Sequence, residues 1–258
     1  MSSAWPGATR YRLTLEYDGG RFFGWQRQEP GTRTVQGVVE EALTRLCGHP
    51  VLLVGAGRTD TGVHALGQVA HFDTLKPREP EVFRRALNVL TPPEVTILDA
   101  ALVPSVFNAR RAAWREYRYR VLPRRAASAL ERDRVWHHPG ALDLDAMNRA
   151  ARYLVGKHDF SAFRSANCQS LTPVREVHRA EWIPMGEEIH FVIRANAFLY
   201  HMVRNIVGTL VLTGRGKWSE ERFVTVFTGL DRRAAGPMAP AHGLYLSQVH
   251  YQTAITLP

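Results

Sequence analysis

The spacing of apolar residues is what most narrows the fold. Tyr11-Arg-Leu-Thr-Leu-Glu-Tyr17 alternates with period two, as a half-buried strand does, and Asp18-Gly-Gly20 ends it. From Thr34 the period lengthens. Val35, Val38, Val39, Ala42, Leu43 and Leu46 fall on one helical face, with Thr34 placed to cap the start and Gly48 to end it. Residues 51–57 and 67–74 return to strand spacing. Pro80 to Leu90 reads as a helix with Val82, Phe83, Ala86, Leu87 and Leu90 inward, and Val95-Thr-Ile-Leu98 begins another strand. The order β-α-β-β-α-β is the split-βαβ, ferredoxin-like arrangement.

The second half repeats the scheme with longer connections. Strands are expected at Arg115 to Leu122, Val174 to Ile183, Glu188 to Ala195 and Leu244 to Tyr251. Helices are expected at Leu144 to Leu154, capped by Asp143, at Tyr200 to Thr213 and at Glu220 to Thr228. The expected fold class is therefore α+β. Two ferredoxin-like, RRM-like subdomains, 1–104 and 105–258, form one broad, mostly antiparallel sheet with helices on one face and a basic cleft on the other. The boundary falls near Pro104.

Charge points to a partner. Lys plus Arg is 33 against 24 Asp plus Glu, a net +9, and only three of the cations are lysine (Lys76, Lys157, Lys217). Arginine's planar fork fits phosphate and stacks on bases, so a nucleic-acid partner is favoured. An arginine-rich genome would give the same count. Two cysteines, Cys47 and Cys168, without a Cys-x-x-Cys, argue against a disulfide framework or a cysteine zinc site and fit a reducing cytosol. No metal, signal peptide or membrane span is expected.

Three segments carry candidate chemistry. In Val54-Gly-Ala-Gly-Arg-Thr-Asp-Thr-Gly-Val-His64, glycines permit a tight bend, and Arg58 and Asp60 project from one side of an extended chain. A solvated ion pair would look the same. Asp60-Thr-Gly62 also matches the aspartic-protease triplet, but that chemistry needs two such carboxylates sharing a proton and this chain has one triplet. His64 fits either a base or a loop hydrogen bonder, and His137-His138 reads as a surface pair. Arginines 110, 111, 115, 118 and 120 interleave with Trp114, Tyr117 and Tyr119, the mixture of cations and rings that looped RNA recognition uses. The tyrosines suit a core equally well. Arg204 lies in an otherwise apolar helix, aligned with Tyr200 and Gly208. Such a cation either snorkels to water or meets a carboxylate, for which Asp60 is the most attractive candidate.

Taken together these segments resemble one family, the tRNA pseudouridine synthases of the TruA type. The matching pieces are Tyr17-Asp-Gly19, Phe23-Gly-Trp-Gln26, Gly57-Arg-Thr-Asp-Thr-Gly-Val-His64, Gly67-Gln-Val69, His71-Phe72 and Arg115-Glu-Tyr-Arg-Tyr119. Gly156, Asp159-Phe160, Asn196-Ala-Phe198, His201-Met-Val-Arg-Asn-Ile-Val-Gly208 and Gly243-Leu-Tyr-Leu246 complete the set, in order along nearly the whole chain. The family has Ala where this chain has Thr61. The resemblance implies a cofactor-free, cytoplasmic homodimer that isomerises uridine to pseudouridine at positions 38, 39 and 40 of the tRNA anticodon stem-loop. By position it implies Asp60 as nucleophile and Arg58 as the residue that helps flip the base. Tyr117 is implied to stack on that base, Arg204 to pair with the catalytic carboxylate, and Leu244 to wall the pocket. Arg78, Arg110 and Arg125 are implied as further tRNA contacts.

Two rival readings share the composition. A non-catalytic RNA-binding module has no use for a carboxylate facing RNA. A nucleoside hydrolase wants a second carboxylate as general acid, and no motif supplies it.

Overall fold

The computed structural model describes residues 7–252. The fold is α+β, as expected. Its chain divides into two compact units, one running to Ala113 and resuming at Leu246, the other spanning Trp114–Tyr245.

In the first unit the strands are β1 (Thr9–Tyr17), β2 (Val54–Gly55), β3 (His64–Thr74) and β4 (Val95–Leu102), with helices α1 (Val35–Cys47) and α2 (Pro80–Leu90). β1 lies between β4 and β3, antiparallel to both. Its alternation works as the spacing predicts. Tyr11, Leu13, Leu15 and Tyr17 are buried, and burying each such side chain is worth about 1.5–3 kcal/mol. Tyr11 stacks on Phe72 and tilts against Phe83, with ring centroids 5.4 and 4.6 Å away. α1 starts where the Thr34 hydroxyl accepts the Gly37 N–H (3.2 Å) and ends at Gly48, φ +70°.

Several expectations need correction here. Val38 and Leu46 are only half-buried on α1, whereas Gln36, Glu40 and Cys47 are buried. Gln36 donates to Glu40 Oε1 (2.8 Å) and to the Leu53 carbonyl (3.0 Å), while Glu40 Oε1 accepts the Leu53 N–H (2.9 Å). Both main-chain groups of Leu53 are thus satisfied by side chains rather than by a neighbouring strand. The strand expected over 51–57 shrinks accordingly to the two residues of β2. On α2 only Phe83 and Leu87 are buried and Val82 is exposed, because this helix meets the edge strand β4 through one narrow stripe.

The second unit contains β5 (Trp114–Leu122), β6 (Trp136–His137), α3 (Leu144–Arg152), β7 (Gly156–Asp159), β8 (Val174–Met185), β9 (Glu188–Ala195), α4 (Met202–Gly214) and α5 (Glu220–Thr228). The strand order is β5-β9-β8-β7, antiparallel throughout, with β6 parallel to β5. The last strand, β10 (Leu244–His250), begins in this unit and continues in the first. α3 is fixed to the sheet by the Asn148 amide, which bonds both the N–H and the carbonyl of Trp182. α4 begins two residues later than expected, since His201 has φ +62° and leaves Tyr200 outside the helical stripe. The surface reading of His137-His138 also fails for its second member. His138 is buried, its N–H bonds to the Leu122 carbonyl (3.1 Å), and burial lowers its pKa.

Candidate active site

Asp60 sits in a loop whose shape is imposed from several directions within the first unit. The Thr59 carbonyl accepts the Trp25 N–H (3.0 Å), and the Thr59 hydroxyl meets the Tyr17 hydroxyl (2.8 Å). The Asp60 carbonyl accepts the Val63 N–H (3.1 Å), closing a tight turn through Gly62, whose φ is +78°. Upstream, the Gly57 carbonyl accepts the Gln68 amide (2.7 Å). Gly24, at φ +84°, lies so close that an added Cβ would stand 2.7 Å from the Thr59 oxygen and 3.2 Å from the Asp60 carbonyl carbon. Asp60 itself is half-buried. Arg58 is exposed, and its Nε donates to Gln26 Oε1 (3.1 Å). His64 is buried, and its Nδ1 accepts the Gly19 N–H (3.1 Å), which makes it a fastening of the loop.

In the second unit Tyr117 and Tyr119 occupy one face of β5, both buried. Tyr117 meets the Phe198 ring edge-on at 4.9 Å. The Tyr119 hydroxyl donates to the Pro240 carbonyl (2.8 Å), and burial raises its pKa. Arg204 lies in the first turn of α4, half-buried, and its Nε donates to the Ala239 carbonyl (2.8 Å). The Ala239 N–H returns a bond to the Arg204 carbonyl (3.1 Å). Gly208, one turn on, is required: a Cβ would stand 1.8 Å from the Pro237 oxygen. Gly243 packs on the Tyr119 ring, where a Cβ would come within 2.8 Å. Residues 237–243 are thus threaded between α4 and β5 and deliver the buried Leu244.

Matching by sequence decides what these loops belong to. Residues 14–110 and 150–252 match the family described as tRNA pseudouridine synthase. The chain belongs to that family. Its members are isomerases that form pseudouridine in tRNA. The chain is 48% identical over 246 residues to a protein of Sinorhizobium fredii named tRNA pseudouridine synthase A, covering 94% of this chain and 99% of the relative. Proteins of the same name from Paramagnetospirillum magneticum and Rhodospirillum rubrum are 48% and 46% identical, with 95% and 96% of this chain covered and 96% and 90% of theirs. A chain of a solved Cbf5-Nop10-Gar1 complex aligns with 91% of this chain and 57% of its own length, at 10% identity and a TM-score of 0.38. That likeness is too distant to bear on the fold.

Against this synthase family, the residues singled out by sequence divide between the units. Arg58 and Asp60 share the first unit's loop, and Arg78 and Arg110 are exposed on the same unit. Tyr117, Arg204 and Leu244 stand on the second unit's β5, α4 and the segment threaded between them, with Arg125 exposed in the loop after β5. Sequence reasoning places Gln68 and Gly24 only within matching family segments and gives neither a role, whereas in the structure they shape the Asp60 loop. A polar Gln in a strand otherwise facing inward is the signal that would find the first. Among the described residues no group of three His, Cys, Asp or Glu side chains is placed to hold a metal ion, and no helix is long and apolar enough to cross a membrane.

Proposed function

We propose that this synthase acts on uridines 38, 39 and 40 of the tRNA anticodon stem-loop, with Asp60 as its nucleophile. The observation that carries the reading is the over-determined Asp60 loop. Its carboxylate is half-buried on a backbone held by the Trp25 N–H and the Tyr17 hydroxyl at Thr59, and by the Val63 N–H at Asp60. A surface ion pair needs no such framework, whereas a group that must meet a reacting atom does. The reaction breaks the bond from ribose C1′ to uracil N1, turns the base, and joins C1′ to C5; C5 loses its proton and N1 gains one, so the product is an isomer of the substrate. Asp60 has three routes into it: attack on C6, attack on C1′, or removal of a proton from C2′. The base is unreachable while stacked, so it is flipped out of the loop. Arg58, exposed and oriented by Gln26, assists that step, and Tyr117 stacks on the extruded ring. Arg204 supplies a cation fixed by Ala239, and Leu244 an apolar wall. Arg78, Arg110 and Arg125 hold backbone phosphate. The family resemblance extends the proposal to a cytoplasmic homodimer with subdomains 1–104 and 105–258.

The test is incubation with unmodified tRNA and mapping of pseudouridine by carbodiimide-dependent primer extension. Stops at positions 38, 39 and 40 are expected from the wild type and none from Asp60→Asn, which should bind tRNA within about twofold of wild type. Stops elsewhere would remove the site assignment. Loss of binding together with activity would make Asp60 structural.

A further inference from the structure

We infer that Arg10, Asp73 and His71 are positioning residues for tRNA binding, holding the Ala109–Arg111 turn so that Arg110 and Arg111 are presented to phosphate. The inference rests on the reading of Arg110 as a tRNA contact and adds Arg111 to it.

The chain from Val103 to Ala113 contains no regular element beyond one 3-10 turn, Ala109–Arg111. Even so, it is fastened along its length. The Val103 N–H donates to the Arg10 carbonyl (3.1 Å). Arg10 Nη1 donates to the carbonyls of Ser105 (2.7 Å) and Phe107 (2.6 Å). The other side of that guanidinium is held by both oxygens of Asp73, each at 2.7 Å. His71, two residues before Asp73 on β3, points to the same face, and its Nδ1 accepts the Ala109 N–H (3.2 Å). The Ala109 carbonyl accepts the Tyr251 hydroxyl (2.7 Å), and Phe107 packs between the His71 and Tyr251 rings.

Ala109 is therefore bonded at both main-chain groups, and the two residues that follow it are exposed arginines. Asn108 Oδ1 accepts the Arg110 N–H (3.0 Å) and completes the turn. Arg111 has no carboxylate partner among the described residues. A buried ion pair is a poor way to stabilise a loop for its own sake, because desolvation offsets most of the attraction. It is an effective way to impose one geometry on main-chain carbonyls. A turn ordered before binding loses less conformational freedom when it meets phosphate. His71 must be unprotonated at Nδ1 to accept, and burial beside Arg10 lowers its pKa to about 4, so it remains an acceptor at neutral pH.

The test compares variants of the full chain in steady-state kinetics and in tRNA binding over a salt series. His71→Leu removes the acceptor, while His71→Asn places an oxygen where Nδ1 was. His71→Leu should raise KM for tRNA about tenfold with kcat within about twofold. It should also flatten the salt dependence by about one unit of slope for each phosphate that is no longer engaged. His71→Asn should recover most of both. The double variant Arg110→Ala with Arg111→Ala should show the same phenotype, and adding His71→Leu to it should change nothing more. Tyr251→Phe, which loosens the turn without burying an unpaired donor, should move KM and slope in the same direction, and it decides the matter if His71→Leu does not fold. If the arginine double variant weakens binding but His71→Leu and Tyr251→Phe leave KM and slope unchanged, the positioning role is refuted and the tRNA contact stands. If the double variant binds like wild type, the tRNA contact itself is wrong and the inference falls with it.

Discussion

Gly24→Ala should damage catalysis far more than its size suggests. At φ +84° an alanine in this left-handed conformation costs about 1–2 kcal/mol. Its Cβ would also stand 2.7 Å from the Thr59 oxygen, where ordinary contact begins at 3.4 Å, so a displacement of 3.4 − 2.7 = 0.7 Å is demanded. Thr59 cannot yield freely, being bonded to the Trp25 N–H and the Tyr17 hydroxyl. Overpacking of this kind adds about 1–3 kcal/mol, for a total of about 2–5 kcal/mol. The shift passes directly to Asp60, the next residue. Since a misplacement of about 1 Å at a reacting group costs on the order of 100-fold, kcat should fall about 30- to 100-fold with KM nearly unchanged. Gly31→Ala is the internal control, because Gly31 has φ +90° but nothing within 4 Å of an added Cβ. It should show the strain in urea denaturation, about 1–2 kcal/mol, and no loss of kcat. If the two variants have equal stability and equal turnover, the loop is not held as described, and the positional demand on Asp60 is wrong.

Two further outcomes follow from the buried polar groups. Glu40→Ala strands the Leu53 N–H and one of the two N–H groups of the Gln36 amide in the interior, each orphan donor costing about 1–3 kcal/mol, so urea denaturation should show a loss of about 2–6 kcal/mol; a loss under about 1 kcal/mol refutes this network. His71 is neutral in the fold, with a pKa of about 4 against 6.5 unfolded. As pH falls through that window the unfolded chain takes up the proton first, so stability present above pH 6.5 is lost toward pH 4. The decline should be shallower in His71→Asn, and identical slopes by thermal unfolding would remove His71 as a cause.

What was legible in the sequence was what local physics decides. Thr34 and Gly48 bracket α1 because a hydroxyl cap and a left-handed terminus act within one turn. Asp143 caps α3 in the same way, as expected, and the structure adds Ser219 as the cap of α5. Gln36 and Glu40 broke the apolar-face rule because their partners, Leu53 and Arg27, lie 13 to 17 residues from one or the other. That same network withdrew Leu53 from strand pairing, so an apolar run that reads as a strand is mostly not one. β7 is illegible for the opposite reason. Gly156-Lys-His-Asp159 has no apolar alternation and owes its conformation to pairing with β8.

The candidate site divides along the same line. The glycines at 55, 57 and 62 mark a bend in the sequence, and Gly62 does adopt the positive φ that the turn at Asp60 needs. The residues that hold the bend come from far along the chain. Gly19 would place a Cβ 2.0 Å from the Val63 oxygen, and Gly55 would drive one into the Trp25 ring at 2.6 Å. Each of these positions is a glycine because another segment lies against it, which no spacing rule can show. A motif therefore locates the carboxylate, while the precision of its placement depends on contacts that only the folded chain brings together. Substitutions at Gly19, Gly24 and Tyr17 lie outside the Arg58-to-Asp60 motif, yet they touch the same loop.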